Sequence, residues 1–276
     1  MSSHHPSPCD PNDDDCCVIG GGRPGTRDFP YVVSPRQTFL LSDRPSLQWS
    51  RTADVRNYTV MLRSAGESLW QVTAPQNDQP ICELDYPADQ APLLPGKSYT
   101  LVITADNERS SQEESVSGLG FSLLDAETAK EVTQKAQAIN TQDLPALDKV
   151  LDRVYLYWQN KLLAESIQLL ITLPPSDTTA KVHRWAANMY RFNGLFLEAK
   201  EEYAKAIDLA QESQNKPELS GAKVGLGRTL FSLGQLDEAT KSLAEAKALY
   251  QELGDAQNVT KVEDILKEIE KAKEDN

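Results

Sequence analysis

Apolar residues alternate with polar ones along the first half of the chain and recur every three to four positions along the second. Alternation places Leu47 and Trp49 on one face of PSLQWS, Tyr58, Val60 and Leu62 on one face of NYTVML, and Trp70 with Val72 in SLWQV. The same holds for Tyr99, Leu101 and Ile103 in SYTLVIT. A period of two marks half-buried strands. Breaks fall at Asn57, Gly66, Asn77 to Pro80 and Pro95–Gly96, residues suited to turns. With TFLL, ICEL and SGLGFSL the region from 30 to 124 offers about seven strands. From Asp125 the period becomes that of a helix, with Asp125 as N-cap of the segment AETAKEVTQKAQAI. Asp143 or Thr141 is expected to cap the next helix, with Pro145 in its first turn.

One stretch of the strand region is more specific. PLLPGKSYTLVITAD sets Pro95–Gly96 three residues before Tyr99 at the start of a strand. This resembles the tyrosine corner of immunoglobulin-like and fibronectin type III domains, whose phenol bonds back to the chain upstream. The resemblance implies a β-sandwich over residues 30–124 with Trp49 and Trp70 in its core. The usual inter-sheet cysteine pair is missing, because Cys82 stands alone in the body of the domain.

The helical half repeats itself. NMYRFNGLFLEAKEEYAKAIDLA and RTLFSLGQLDEATKSLAEAKALY align without gaps, matching Gly194 to Gly234, Ala199 to Ala239 and Ala206 to Ala246. A weaker copy, VYLYWQNKLLAESIQLLITLPP, sets Glu165–Ser166 against those Glu–Ala pairs, so the offsets are 33 (166 to 199) and 40 (199 to 239). With Leu226–Gly227 in a first helix, a glycine at the inter-helix turn and paired small residues, the pattern resembles the tetratricopeptide repeat family. The weaker copy departs from it: Lys161 replaces the turn glycine and Arg153–Val154 the Leu–Gly pair. The order of sandwich then repeats, with the strings RPSLQWS, LLPGKSYTLVI and LYWQNKLLAESI, also resembles uncharacterised, mainly cyanobacterial, proteins of that repeat type. The expected organisation is a leader over 1–29, an immunoglobulin-like β-sandwich over 30–124, and a connecting helix over 125–143. An all-α superhelix of about three repeats follows over 144–254, closed by a polar-faced capping helix over 255–276.

Charge narrows the partners. The 276 residues carry a net charge of −13, which disfavours nucleic acid and anionic membrane as main partners. The first thirty residues lack the basic start and apolar core of a secretory signal, so the expected compartment is the cytoplasm; an upstream export signal would make it the periplasm or envelope.

In a repeat superhelix the first helices line the inner wall. In the middle repeat that stripe is Lys181, Arg184, Asn188 and Arg191, spaced to share one helix face. The offsets carry it to Tyr155 and Trp158 before and to Arg228 and Phe231 after. Guanidinium groups suit carboxylates and aromatic rings supply contact area. These eight residues are therefore the expected groove for an acidic peptide. Arg184 and Asn188 match the pair by which such repeats grip a C-terminal carboxylate, but Gly225 stands where a second asparagine would be needed.

Catalytic signals are weak. HExxH, GxSxG and phosphate-loop sequences are missing, and His183 falls on the face turned to its partner helix. The stretch CDPNDDDCCVIGGGRPG holds Cys9, Cys16 and Cys17, but the calcium-loop positions fail, three cysteines are too few for zinc, and its glycines do not open onto a helix. It reads as a disordered acidic leader in which only the Cys16–Cys17 pair asks a chemical question. The reading is a non-enzymatic adaptor that needs no cofactor or metal and binds a protein or peptide in the repeat groove. The alternative is an envelope-associated or glycan-binding protein in which the sandwich is the main binder.

Overall fold

The computed structural model describes residues 28–114 and 119–275. The leader with Cys9, Cys16 and Cys17 lies outside the described residues, except for its last two positions. There Phe29 is buried beneath the guanidinium of Arg109, 5.7 Å from its ring centroid, so the ordered sandwich takes in Phe29.

The described chain forms two compact units that divide between Gln168 and Leu169. In the first, eight strands make two sheets among the described residues. β1 (Val32–Ser34), β3 (Leu47–Ser50) and β6 (Ile81–Leu84) form one, in the order β1-β3-β6. β2 (Phe39–Leu40), β8 (Phe121–Leu123), β7 (Ser98–Ala105), β4 (Asn57–Ser64) and β5 (Glu67–Pro75) form the other, in the order β2-β8-β7-β4-β5. The chain changes sheet between β1 and β2, and β2 runs parallel to β8. The inward residues read from the alternation meet in one core. Leu47, Trp49 and Cys82 come from the small sheet, and Tyr58, Val60, Leu62, Leu101 and Ile103 from the large one. Trp49 and Tyr58 pack edge to face with centroids 5.5 Å apart, a geometry worth about 1 kcal/mol beyond the area it buries. The Tyr58 hydroxyl accepts from the Thr52 N–H at 2.9 Å and donates to Gln76 at 2.7 Å, so its polar end is satisfied.

The expected corner is present. The Leu94 N–H donates to the Tyr99 hydroxyl, five residues downstream, at 2.8 Å. A second clamp crosses the fold where the chain changes sheet. Arg36 donates two bonds to Glu114, at 2.8 and 2.9 Å, and both side chains are fully buried.

The first unit continues beyond the sandwich. α1 (Ala126–Asn140) follows β8 at once, and Asp125 caps it by accepting from the N–H groups of Glu127 and Thr128. α2 (Ala146–Gln159) starts one residue after Pro145, which takes the N-cap position with no side-chain cap, so neither Thr141 nor Asp143 caps it. α3 (Leu163–Ile171) follows a tight turn at Lys161, which holds φ at +58°. That turn docks on the sandwich. The Lys161 carbonyl accepts from the Phe39 N–H at 3.0 Å and from the Thr38 hydroxyl at 3.1 Å, while the Leu163 N–H donates to the Thr38 hydroxyl at 2.9 Å. Leu124, Val132 and Leu162 form a small apolar cluster beside it, joined by Leu41, Leu156 and Tyr157.

The second unit consists of antiparallel helical hairpins. α4 (Ala180–Phe192) pairs with α5 (Phe196–Glu212), α6 (Lys216–Ser232) with α7 (Leu236–Leu253), and α8 (Ala256–Glu274) closes the stack. The small residues matched by the repeat are the points of close approach: Ala199, Ala206, Ala239 and Ala246 are all fully buried. At Gly227 a Cβ would lie 2.6 Å from Leu243 Cγ, which explains the glycine of the Leu226–Gly227 pair. α8 buries one stripe, Val262, Ile265 and Ile269, against α6 and α7, and most of its other positions are exposed or half-buried.

Candidate interaction surface

α4 is an amphipathic sequence that the fold buries almost all round. Thr179 caps it, and eleven of its residues are buried, among them Arg184, Asn188 and Arg191 of the expected stripe. Arg184 is bound by α6: its Nε donates to Glu218 at 2.7 Å and its Nη2 to the other carboxylate oxygen at 3.3 Å. Asn188 accepts the hydroxyl proton of Tyr203 from α5. Tyr203 in turn fills the space beside Gly225, where a Cβ would lie 2.3 Å from the tyrosine ring. The position at which a carboxylate clamp would place a second asparagine is thus a glycine because a tyrosine ring occupies the room. Arg191 is buried, with 2% of its surface exposed.

The remaining stripe residues are less enclosed. Lys181 is half-buried, with its ammonium 5.1 Å from the ring centroid of Trp185. Arg228 is half-buried, and Phe231 is half-buried against the cluster that holds Val224, Leu230 and Leu243. Tyr155 and Trp158 belong to the first unit, where Trp158 is buried and Tyr155 exposed. The structure therefore brings together Arg184 with Glu218, Asn188 with Tyr203, and Lys181 with Trp185. The glutamate, tyrosine and tryptophan partners were missed by the stripe. Glu218 lies 34 residues from Arg184, and only the stacking of α6 on α4 joins them.

His183 does face its partner helix, with Nδ1 2.7 Å from Glu202 of α5. Burial acts to raise the Glu202 carboxyl, but hydrogen bonds from His183 and Lys205 outweigh it and hold the group below the usual carboxylate range. The contact joins α4 to α5 within one hairpin.

In the first unit the strongest perturbation is at Glu165. Its Oε1 accepts the Leu41 N–H from the sandwich at 2.7 Å, while its Oε2 is enclosed without a hydrogen-bond partner. Burial pushes its pKa up to about 7. Two surface cavities also lie on this unit. One, of about 440 Å³, is bordered by Arg63, Thr100, Ser111 and Gly120. The other, of about 610 Å³, is bordered by Leu69, Trp70, Tyr86 and Leu94. Trp49 and Trp70 are core residues, 0 and 7% exposed, so neither serves as the exposed platform that a glycan site on the sandwich would need. Cys82 is buried and its thiol is pushed up by burial. Among the described residues no cluster of three or more histidine, cysteine, aspartate or glutamate side chains could hold a metal, and no helix is long and apolar enough to cross a membrane.

No protein-family model matches the chain, and no curated protein matches it. Two solved structures of nearly identical TPR-like repeats from a kinesin-light-chain-type protein of Podosopora anserina are similar to it. One, a point variant, is 19% identical over 54% of this chain and 89% of that one, with a TM-score of 0.36. The other is 20% identical over 52% and 86%, with a TM-score of 0.35. The hairpin stack is therefore established by its own helices and their packing.

Proposed function

We propose that the chain is a non-enzymatic interaction adaptor whose helical hairpins present an extended surface to a protein partner. The observation that carries this reading is the stack α4 to α8. Its small residues and buried polar pairs are used in holding helices together, as in repeat arrays whose surfaces serve recognition. The occupant is an acidic peptide segment, met by Lys181, Arg228 and Phe231 in the second unit. Arg184 and Asn188 act behind them, tying α4 to α6 and α5, and Arg191 is buried beside them on the same helix. Substituting Arg184 or Arg191 would thus report on stability as much as on binding.

The test is fluorescence anisotropy with a panel of labelled acidic peptides and the intact chain. Lys181→Ala/Arg228→Ala is expected to weaken the bound peptide by about tenfold, the order of two partly exposed charge-assisted contacts. Binding should also fall with added salt, because exposed charges are screened. Affinity unchanged in the double variant, with an unchanged melting temperature, would sink the reading.

A further inference from the structure

The pairing of β5 with β4 contains a bulge. Trp70 faces Leu62 and Ser68 faces Arg63, so Leu69 has no residue opposite it. Neighbours in a regular strand point to opposite faces, and a bulge re-aims one of them. Here Leu69 and Trp70, consecutive in the chain, border the same cavity of about 610 Å³. Its other wall comes from the segment Tyr86 to Lys97. That segment is held from the strand β3 side of the chain: Arg44 donates to the Pro87 and Gln90 carbonyls at 3.0 and 2.8 Å, and the Leu93 N–H donates to the Asp43 carbonyl at 3.0 Å. A wall fixed in this way is set before a ligand arrives, which lowers the cost of binding one.

The lining is apolar and the rim is charged. Trp70, Tyr86 and Tyr99 are buried, and the polar atom of each has a partner within the chain. Trp70 Nε1 donates to the Tyr86 hydroxyl at 3.1 Å, which donates to the Ala91 carbonyl at 2.8 Å, and the Tyr99 hydroxyl accepts from the Leu94 N–H. Leu69 and Leu94, 50 and 48% exposed, are the most exposed large apolar side chains among the described residues, and both border this cavity. Glu67 and Lys97 border it too; both are exposed, and among the described residues neither takes part in an ion pair. Glu67 stands opposite Ser64 of β4, and Arg63 faces Thr100 of β7 on the other side. Two strand spacings of ~4.8 Å and two residues of ~3.3 Å along β7 put the Glu67 and Lys97 Cα atoms roughly 12 Å apart.

We propose that this cavity binds a small apolar zwitterion, a free apolar amino acid or a dipeptide of such residues. Its side chain lies against Leu69, Trp70 and Leu94, its carboxylate meets Lys97 and its ammonium meets Glu67. The volume falls in the range of small-ligand sites, about 300–1,000 Å³, which join an apolar lining to a few polar groups. Charge complementarity selects the class. An apolar anion such as a fatty acid would bring a second carboxylate beside Glu67, and an apolar cation a second positive charge beside Lys97. A zwitterion gives each a counter-charge. The site belongs to the sandwich and is independent of peptide binding by the hairpin stack.

Isothermal titration of the full chain with leucine, phenylalanine and leucyl-leucine tests this. At least one is expected to bind with Kd between ~10 µM and ~1 mM, the range open to a ligand of this size. Comparing the single amino acids with the dipeptide shows which source of the chemistry the cavity takes. N-acetyl-leucine lacks the ammonium and leucinamide lacks the carboxylate, and each should bind about tenfold more weakly than leucine, the order of one charge-assisted contact. Lys97→Gln should weaken the zwitterion by about tenfold and leave leucinamide unchanged, while Glu67→Gln should weaken it and leave N-acetyl-leucine unchanged. Both substitutions are on exposed side chains and should leave the melting temperature as it is. Leu69→Ser should weaken all these ligands. No binding of any of the three zwitterions up to ~5 mM overturns the proposal. So does N-acetyl-leucine bound as tightly as leucine, or a zwitterion affinity indifferent to both charge variants.

Discussion

Lys161 shows how a single residue departs from its repeat without breaking it. Gly194 and Gly234 turn the later hairpins with φ at +72° and +75°, and Lys161 takes the same left-handed conformation at +58°. A side chain there clashes with its own backbone at a cost of about 1–2 kcal/mol, and glycine avoids most of it. The interactions that dock this turn use the Lys161 carbonyl, which any residue retains. Lys161→Gly is therefore expected to stabilise the chain by about 1 kcal/mol, part of the gain being lost to the freer unfolded glycine. Urea unfolding of the two proteins checks it, and a lower midpoint in the variant would show that the lysine side chain itself holds the junction. The deviation was visible in the sequence because the repeat supplied two glycines for comparison. Other residue-level facts were not visible. Arg36 meets Glu114 across 78 positions, and Arg184 meets Glu218 across 34. Contacts of that range leave no period in the sequence.

At the scale of elements, periodicity disclosed what alternates and missed what does not. Tyr58, Val60, Leu62 and Ile103 are buried where the period-two pattern put them. β1 escaped because Val32 and Val33 are both buried and consecutive, so the strand carries no alternation. The expected stripe on α4 shares one face, but the helix is enclosed on nearly every face, so sharing a face did not mean facing solvent. The junction between the sandwich and α3 was equally silent, since it depends on Glu165 meeting the Leu41 N–H. Its chemistry gives a pH signature. The folded pKa of about 7 exceeds the ordinary 4.5, so the protonated carboxyl is favoured in the native state. The stability this contributes is full below about pH 4.5 and is lost as pH rises through 7. Glu165→Gln keeps an acceptor for Leu41 and removes the titration. Between pH 5 and 8 the wild type is expected to lose about 1–3 kcal/mol relative to Glu165→Gln, as the size of the shift requires. Parallel pH-dependent unfolding curves for the two proteins would contradict this.

For the molecule as a whole, the two units suggest different modes of failure. The sandwich shares one continuous core, so damage to it is felt throughout. The hairpin stack touches only neighbour to neighbour, and its stability should decay from an end. Removing α8 uncovers the cluster that holds Leu243, Ala246 and Tyr250. Amide exchange in a chain ending at Gly254 is expected to accelerate most in α7, less in α6 and least in α4. A uniform acceleration would instead mark the four remaining helices as one cooperative block.

The buried clamp at the sheet change has a historical consequence. With Arg36 and Glu114 both fully enclosed, loss of either leaves an uncompensated charge in the core, a penalty of about 3–5 kcal/mol. Two well-packed apolar side chains in their place can be neutral or better. Neither half can be reached alone by gradual substitution, yet the pair can be exchanged together. Descendants of this chain should therefore inherit the two positions as one character, 78 residues apart in the chain and inseparable in descent.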